Sequence, residues 1–222
     1  MTAAGVHQSA PGAAPAPAAS PGQAWLRLVW LYLVSRRAPV AVALIAGFGV
    51  LLWVALYWHW NVAGGAAAAM VIPLIVEAGA AAVIAVSTYG PFGEPERATG
   101  RWLPYLRLGA AVALTAAAVG VLAVGATGGT LPGGFLAMCR NVVGITGVGL
   151  LAAAVLGGML AWAGPMAYLV LTETMLSGGR SSAWVWPTKP PHDLGAALCA
   201  AGVFAAGAVL ITLRGARESV RD

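Results

Sequence analysis

The sequence predicts an all-α integral membrane protein of six transmembrane helices. An N-terminal interfacial helix precedes them, and a short cytoplasmic helix joins spans two and three. Three observations predict this. Only 9% of the 222 residues are charged, against about 25% in soluble domains, so too few charges exist to coat a globule in water. Apolar runs long enough to cross hydrocarbon, which takes about 20 residues, alternate with short polar pieces. The arginines gather at the run ends that would share one side of a membrane.

Composition narrows the class further. Mean hydropathy is +0.84, and 30 residues are glycine. Small residues let helix backbones approach closely where lipid is the solvent. The formal charge is +5, which topology explains better than nucleic acid does. Cys139 and Cys199 lie in or beside apolar runs, so no disulfide framework is expected. His7, His59 and His192 are scattered, and no metal site or cofactor is expected.

The elements follow in order. Residues 1–22 are Ala/Pro/Gly/Ser-rich without a charged side chain, and read as a disordered tail. Residues 23–37 carry Trp25, Trp30 and Tyr32 and close on Arg36 and Arg37. They read either as a helix lying on the cytoplasmic surface or as a lead-in to the first span. The membrane domain covers residues 38–213. Pro39 to Tyr57 is the first span, and Trp58, His59, Trp60 and Asn61 form an aromatic belt behind it. Val62 to Thr88 is the second span, with Pro73 and Glu77 inside it. Leu106 to Gly125 is the third, and Thr127 to Gly134 is a turn.

Phe135 to Met175 holds only Arg140 and Glu173 as charges. As one helix it would be about 60 Å long, twice the hydrocarbon thickness, so it folds back. Gly157, Gly158, Gly164 and Pro165 place the reversal near Ala161 to Gly164, giving spans four and five. Ser177 to Asp193 is a polar connection, Leu194 to Leu213 is span six, and residues 214–222 are a cytoplasmic tail.

Orientation follows from counting. With both termini inside, nine of the twelve basic residues are cytoplasmic, and only Arg180 and Lys189 lie in outer loops. That bias predicts a multi-pass protein of the plasma membrane with cytoplasmic ends.

Four polar residues stand inside or beside the spans. Glu77 lies near the middle of span two, where a carboxylate costs several kcal/mol unless paired, hydrated or protonated. It reads as a substrate-path or ion-relay residue, or as a structural acid hydrogen-bonded to a neighbouring helix. Pro73, four residues earlier, frees a carbonyl one turn back. Arg140 and Asn141 stand near the outer end of span four, and Glu173 near that of span five. A tight hairpin would bring Arg140 and Glu173 to similar depth, as an ion pair that locks the hairpin or as a substrate contact. Small residues recur every four positions at Gly149, Ala153 and Gly157, and at Gly109, Ala113 and Ala117. Both sets read as internal packing faces rather than dimer seams.

The stretch from Tyr89 to Arg107, YGPFGEPERATGRWLPYLR, is a charged island between apolar runs. Pro95 suits the first turn of a helix, and Glu94 and Glu96 favour its positive end. Arg97 and Arg101 share a face, and Trp102 suits the membrane interface. One or two helical turns on the cytoplasmic surface, or a plain solvated loop, would account for it. There is no catalytic or nucleotide-binding motif: GxSxG and HExxH are absent, and Gly178 to Ser182 lacks the lysine and spacing of a phosphate loop. The chain reads as a non-enzyme.

The layout resembles the permease subunits of ATP-binding-cassette exporters, the type-2 class with six spans. Residues 23–37 resemble the interfacial helix of that class, and the charged island resembles its coupling helix. Glu96-Arg97-Ala98-Thr99-Gly100 looks like the Glu-Arg-x-x-Gly found there. The stretch from Arg140-Asn141 to Trp186-Pro187 is similar to small permease-like proteins of actinobacteria. The resemblance implies a membrane subunit without its own ATPase. Its partners would be lipid, a separate cytoplasmic ATPase and a second permease as homodimer or heterodimer, with no nucleic acid. Glu94, Glu96, Arg97 and Arg101 would contact the ATPase. Two other classes fit the residues: a secondary transporter with Glu77 as relay, counted against by the lack of a visible inverted repeat, and a membrane anchor or accessory protein.

Overall fold

The computed structural model describes residues 38–58, 65–88, 103–178 and 184–214. Among the described residues there are six α-helices: α1 (Ala38–Tyr57), α2 (Gly65–Ser87), α3 (Leu103–Gly125), α4 (Gly134–Leu156), α5 (Ala163–Ser177) and α6 (Leu194–Arg214). Among the described residues there is no strand. Four of these helices, α1, α3, α4 and α6, are long and apolar enough to cross a membrane. The apolar part of α2 is the shorter stretch Val71–Ser87, and α5 has only 15 residues. The expectation of six full-length spans is therefore met in helix order, and in spanning length for four.

Helix ends fall where the backbone chemistry puts them. Gly133 and Gly134 take φ of 77° and 71° at the start of α4, and Gly157 takes 92° just past its end. Those left-handed values favour glycine. The reversal after α4 thus begins at Gly157 and runs through a short 3-10 turn, Gly158–Leu160, several residues ahead of the expected place. Pro165 lies inside the first turn of α5 rather than in the reversal, because that turn does not need its missing N–H. Asp193 caps α6: its Oδ1 accepts the Ala196 N–H at 2.9 Å, satisfying one of the orphan donors of the first turn.

The centre of the bundle is α4. Of its apolar window 61% is buried, against 28% to 33% for the other three long helices. Apolar burial gives little drive between helices in lipid, so close backbone contact supplies the stability. A Cβ on Gly147 would lie 2.5 Å from the Phe204 backbone, and one on Gly207 would lie 2.6 Å from the Gly147 carbonyl oxygen. The backbones of α4 and α6 therefore touch. Gly149 faces Ala85 of α2 and Pro165 of α5, and Ala153 is fully buried, so this stripe packs internally as expected. The α3 stripe does not. Gly109, Ala113 and Ala117 are exposed, and Gly109 has open space where a Cβ would go. Ala111, Leu114 and Ala118 bury instead. Equal spacing on two small-residue helices does not say which face turns inward.

Polar side chains inside the helices mostly bond their own backbone. Thr115 donates to the Ala111 carbonyl at 2.7 Å, and Thr172 to that of Tyr168 at 2.9 Å. Such back-bonding removes a hydroxyl's need for another partner. Trp53 and Tyr57 stack on α1 with centroids 5.1 Å apart, and both are exposed, as interface aromatics are.

Candidate functional site

Glu77, Arg140 and Asn141, whose side chains bond beyond their own helices, gather in one place. Glu77 of α2 is 3% exposed and Asn141 of α4 is 8% exposed. Asn141 Nδ2 donates to Glu77 Oε2 at 3.0 Å. By helical rise Asn141 stands about 10 Å along α4 from its first residue. The acid is thus tied to a neighbouring helix, one of the two arrangements its sequence position allowed. The amide is only half used, since Asn141 Oδ1 is buried without a partner among the described residues.

Arg140, next in the chain, turns to the α5–α6 connection. Its Nη1 donates to the Pro190 carbonyl at 2.8 Å, and its Nη2 to the Lys189 carbonyl at 3.0 Å. The planar fork of guanidinium suits two adjacent acceptors. The expected ion pair with Glu173 does not form. Glu173 is partly buried on α5, and its Oε1 has no partner among the described residues. The physical reason lies in the connection. Prolines at 187, 190 and 191 break its backbone, leaving carbonyls that no regular ladder takes up. A cation reaching two of them satisfies more than one carboxylate contact would.

The described part of the connection, residues 184–193, is buried at its centre rather than polar and exposed throughout. Val185 and Trp186 are buried, and Trp186–Thr188 forms a 3-10 turn. Trp186 lies against Gly144, where a Cβ would come within 2.6 Å of the indole ring. That contact lies about 15 Å along α4 from its start. Tyr168 of α5 stacks on Trp186 with centroids 4.6 Å apart, and its hydroxyl donates to the Trp184 carbonyl at 3.0 Å. Leu74, Ala78, Ile145, Ala196 and Ala200 complete the packing. Irregular backbone among apolar helices is stable only where protein buries it or a cavity borders it. Here both hold.

The cavity is a half-open cleft of about 260 Å³. Pro73, Leu74 and Glu77 line it from α2, Ala137 and Asn141 from α4, Pro132 and Gly133 from the α3–α4 turn, and residues 187–191 from the connection. Glu77 and Asn141 are its buried polar pair. Sequence reasoning named Glu77, Arg140 and Asn141 and missed Tyr168, Gly144 and the buried connection. The clustered prolines were the available signal, since each removes an N–H and so leaves a carbonyl short of a donor. Glu173 lies apart from this cleft's lining. Glu94, Glu96, Arg97 and Arg101 lie outside the described residues, as does the 23–37 segment.

Comparison with protein-family models, curated proteins and solved structures finds no match.

Proposed function

We propose that this chain is the membrane-spanning permease subunit of an ATP-driven export system. It would cross the plasma membrane six times with both termini in the cytoplasm and carry no ATPase of its own. A separate cytoplasmic ATPase and a second permease would complete the machine. The observation that carries this reading is a convergence. Asn141 and Pro187, at the two ends of the stretch that resembles small permease-like proteins, both line the cleft beside Glu77. An ionisable residue so placed within a helical bundle marks a substrate or ion path by default. In this orientation the cleft opens outward, and an ATPase would dock at the opposite, cytoplasmic end. Closure of the ATPase dimer would then rock rigid helices around the cleft.

Gentle solubilisation followed by identification of co-purifying chains tests the reading. An ATPase subunit in stoichiometric amount is expected. A second reading, proton- or ion-coupled secondary transport with Glu77 as relay, is favoured by the buried carboxyl at the cleft. No ATPase partner, together with transport that collapses with the proton gradient, would replace the first reading by the second.

A further inference from the structure

The geometry points to the Glu77–Asn141 cleft as a binding site for a primary ammonium group on a small, largely apolar molecule. The lining is rich in acceptors and poor in donors. Five of its twelve residues are prolines, Pro73, Pro132, Pro187, Pro190 and Pro191, which bring carbonyls and no N–H. Apart from the Lys189 ammonium, the donors of Asn141, Thr188 and Lys189 are spent. Asn141 Nδ2 is committed to Glu77, the Thr188 hydroxyl donates to the Val185 carbonyl at 2.8 Å, and the Thr188 and Lys189 amides close the 3-10 turn. Arg140 is held by the Lys189 and Pro190 carbonyls and does not line the cleft.

The acceptors are left over. Among the described residues, Glu77 is a carboxyl with one donor, Asn141 Nδ2, for its two oxygens. Asn141, more than nine-tenths buried, lines the cleft with its Oδ1 unpartnered among the described residues. A buried acceptor left unmade costs about 1–3 kcal/mol, so a ligand that brings donors removes a standing penalty. An ammonium group carries three donors on a compact head and no acceptor. Leu74, Ala137 and the proline rings suit a short alkyl body. At about 260 Å³ the cleft is below the usual size for drug-like ligands, which limits that body to a few carbons. Lys189 completes the picture. It is the one lining side chain with an ammonium of its own, so its charge opposes a second cation in the cleft.

The ammonium could belong to a free amine or to an ethanolamine lipid headgroup, and the experiment separates them. Thermal unfolding of the purified protein is followed in amine-free buffer and lipid-free detergent at constant ionic strength. Ethylammonium chloride is expected to raise the melting temperature, whereas sodium acetate and tetramethylammonium, which has no N–H, are not. In a parallel arm, ethanolamine-headgroup lipid is compared with choline-headgroup lipid. Stabilisation in the first arm assigns a soluble amine, and stabilisation in the second alone assigns the lipid. Glu77→Gln should weaken the binding by about tenfold or more. Should that variant fail to fold, Lys189→Met keeps the question open to test: removing the rival ammonium should tighten binding. The assignment is overturned if acetate or tetramethylammonium stabilises equally, if neither arm responds, or if Lys189→Met leaves affinity unchanged. The site deepens the transport reading, but its test is binding alone. A protein that binds ethylammonium without an ATPase partner would sink only the exporter assignment, and the converse result only this one.

Discussion

Asn141 on α4 holds Glu77 on α2 through a single 3.0 Å hydrogen bond, and both side chains are buried. Two parallel helices are thereby joined by polar chemistry inside an apolar bundle. Asn141→Leu removes the donor and leaves the acid buried without it. A loss of about 1–3 kcal/mol is expected, measured by denaturant titration in mixed micelles. Glu77→Leu in the same background should cost less than the sum of the single changes, because an apolar pair leaves no orphan. Strict additivity would mean that the bond carries no coupling.

Arg140 ties the α5–α6 connection to α4 through the Lys189 and Pro190 carbonyls. Arg140→Lys keeps the charge and loses the fork. The amides of Thr188 and Lys189, bonded to Val185 and Trp186, should then exchange hydrogen about tenfold faster or more. Amides elsewhere in α4 should be little changed. Equal protection in the wild type and the variant would reduce Arg140 to a topology signal.

Trp186 fills the space that Gly144 leaves. Gly144→Ala forces the indole or the helix to move, costing about 1–3 kcal/mol, and Trp186→Ala about 3–5 kcal/mol. Gly120 of α3 has open space where a Cβ would stand. Gly120→Ala should be neutral, or stabilising by about 0.5–1 kcal/mol through backbone entropy. Thermal denaturation of the three variants separates close packing from mere abundance of glycine.

The exporter reading assigns the ATPase contact to Glu94, Glu96, Arg97 and Arg101. Arg97→Glu with Arg101→Glu should abolish stimulated ATP hydrolysis by the partner while the chain still inserts. Cysteine-accessibility mapping of both termini must accompany the assay, because moving positive charge can itself change topology. Unchanged hydrolysis with unchanged topology would leave the segment as an ordinary loop.

Much of this arrangement is legible in the residues. Long apolar runs and sparse charge give the helices, and Glu77 is conspicuous as the lone acid of its run. What was not legible depends on groups every residue has. Arg140 finds main-chain carbonyls, which carry no side-chain signature, so charge matching pointed to Glu173 instead. Residues 184–193 look like surface loop because proline, lysine and aspartate usually are. Only packing against Gly144 and Tyr168 turns Trp186 inward. The stripes of α3 and α4 share one spacing, and their opposite fates follow from neighbours that sequence periodicity does not contain.

Arg140 anchors the connection to α4 and not to the helix that follows it. One wall of the cleft and the Asn141 half of its polar pair therefore travel as a single body. Turning that body moves both together, and the gap between them stays the same. The dimension free to change is the one spanned by the Asn141–Glu77 bond, set by how α2 lies on α4. Gly149 presses on Ala85 there, two turns beyond Glu77, and that contact has the position of a fulcrum. A change in the cleft's width would therefore have to come from α2, the helix that carries the carboxyl.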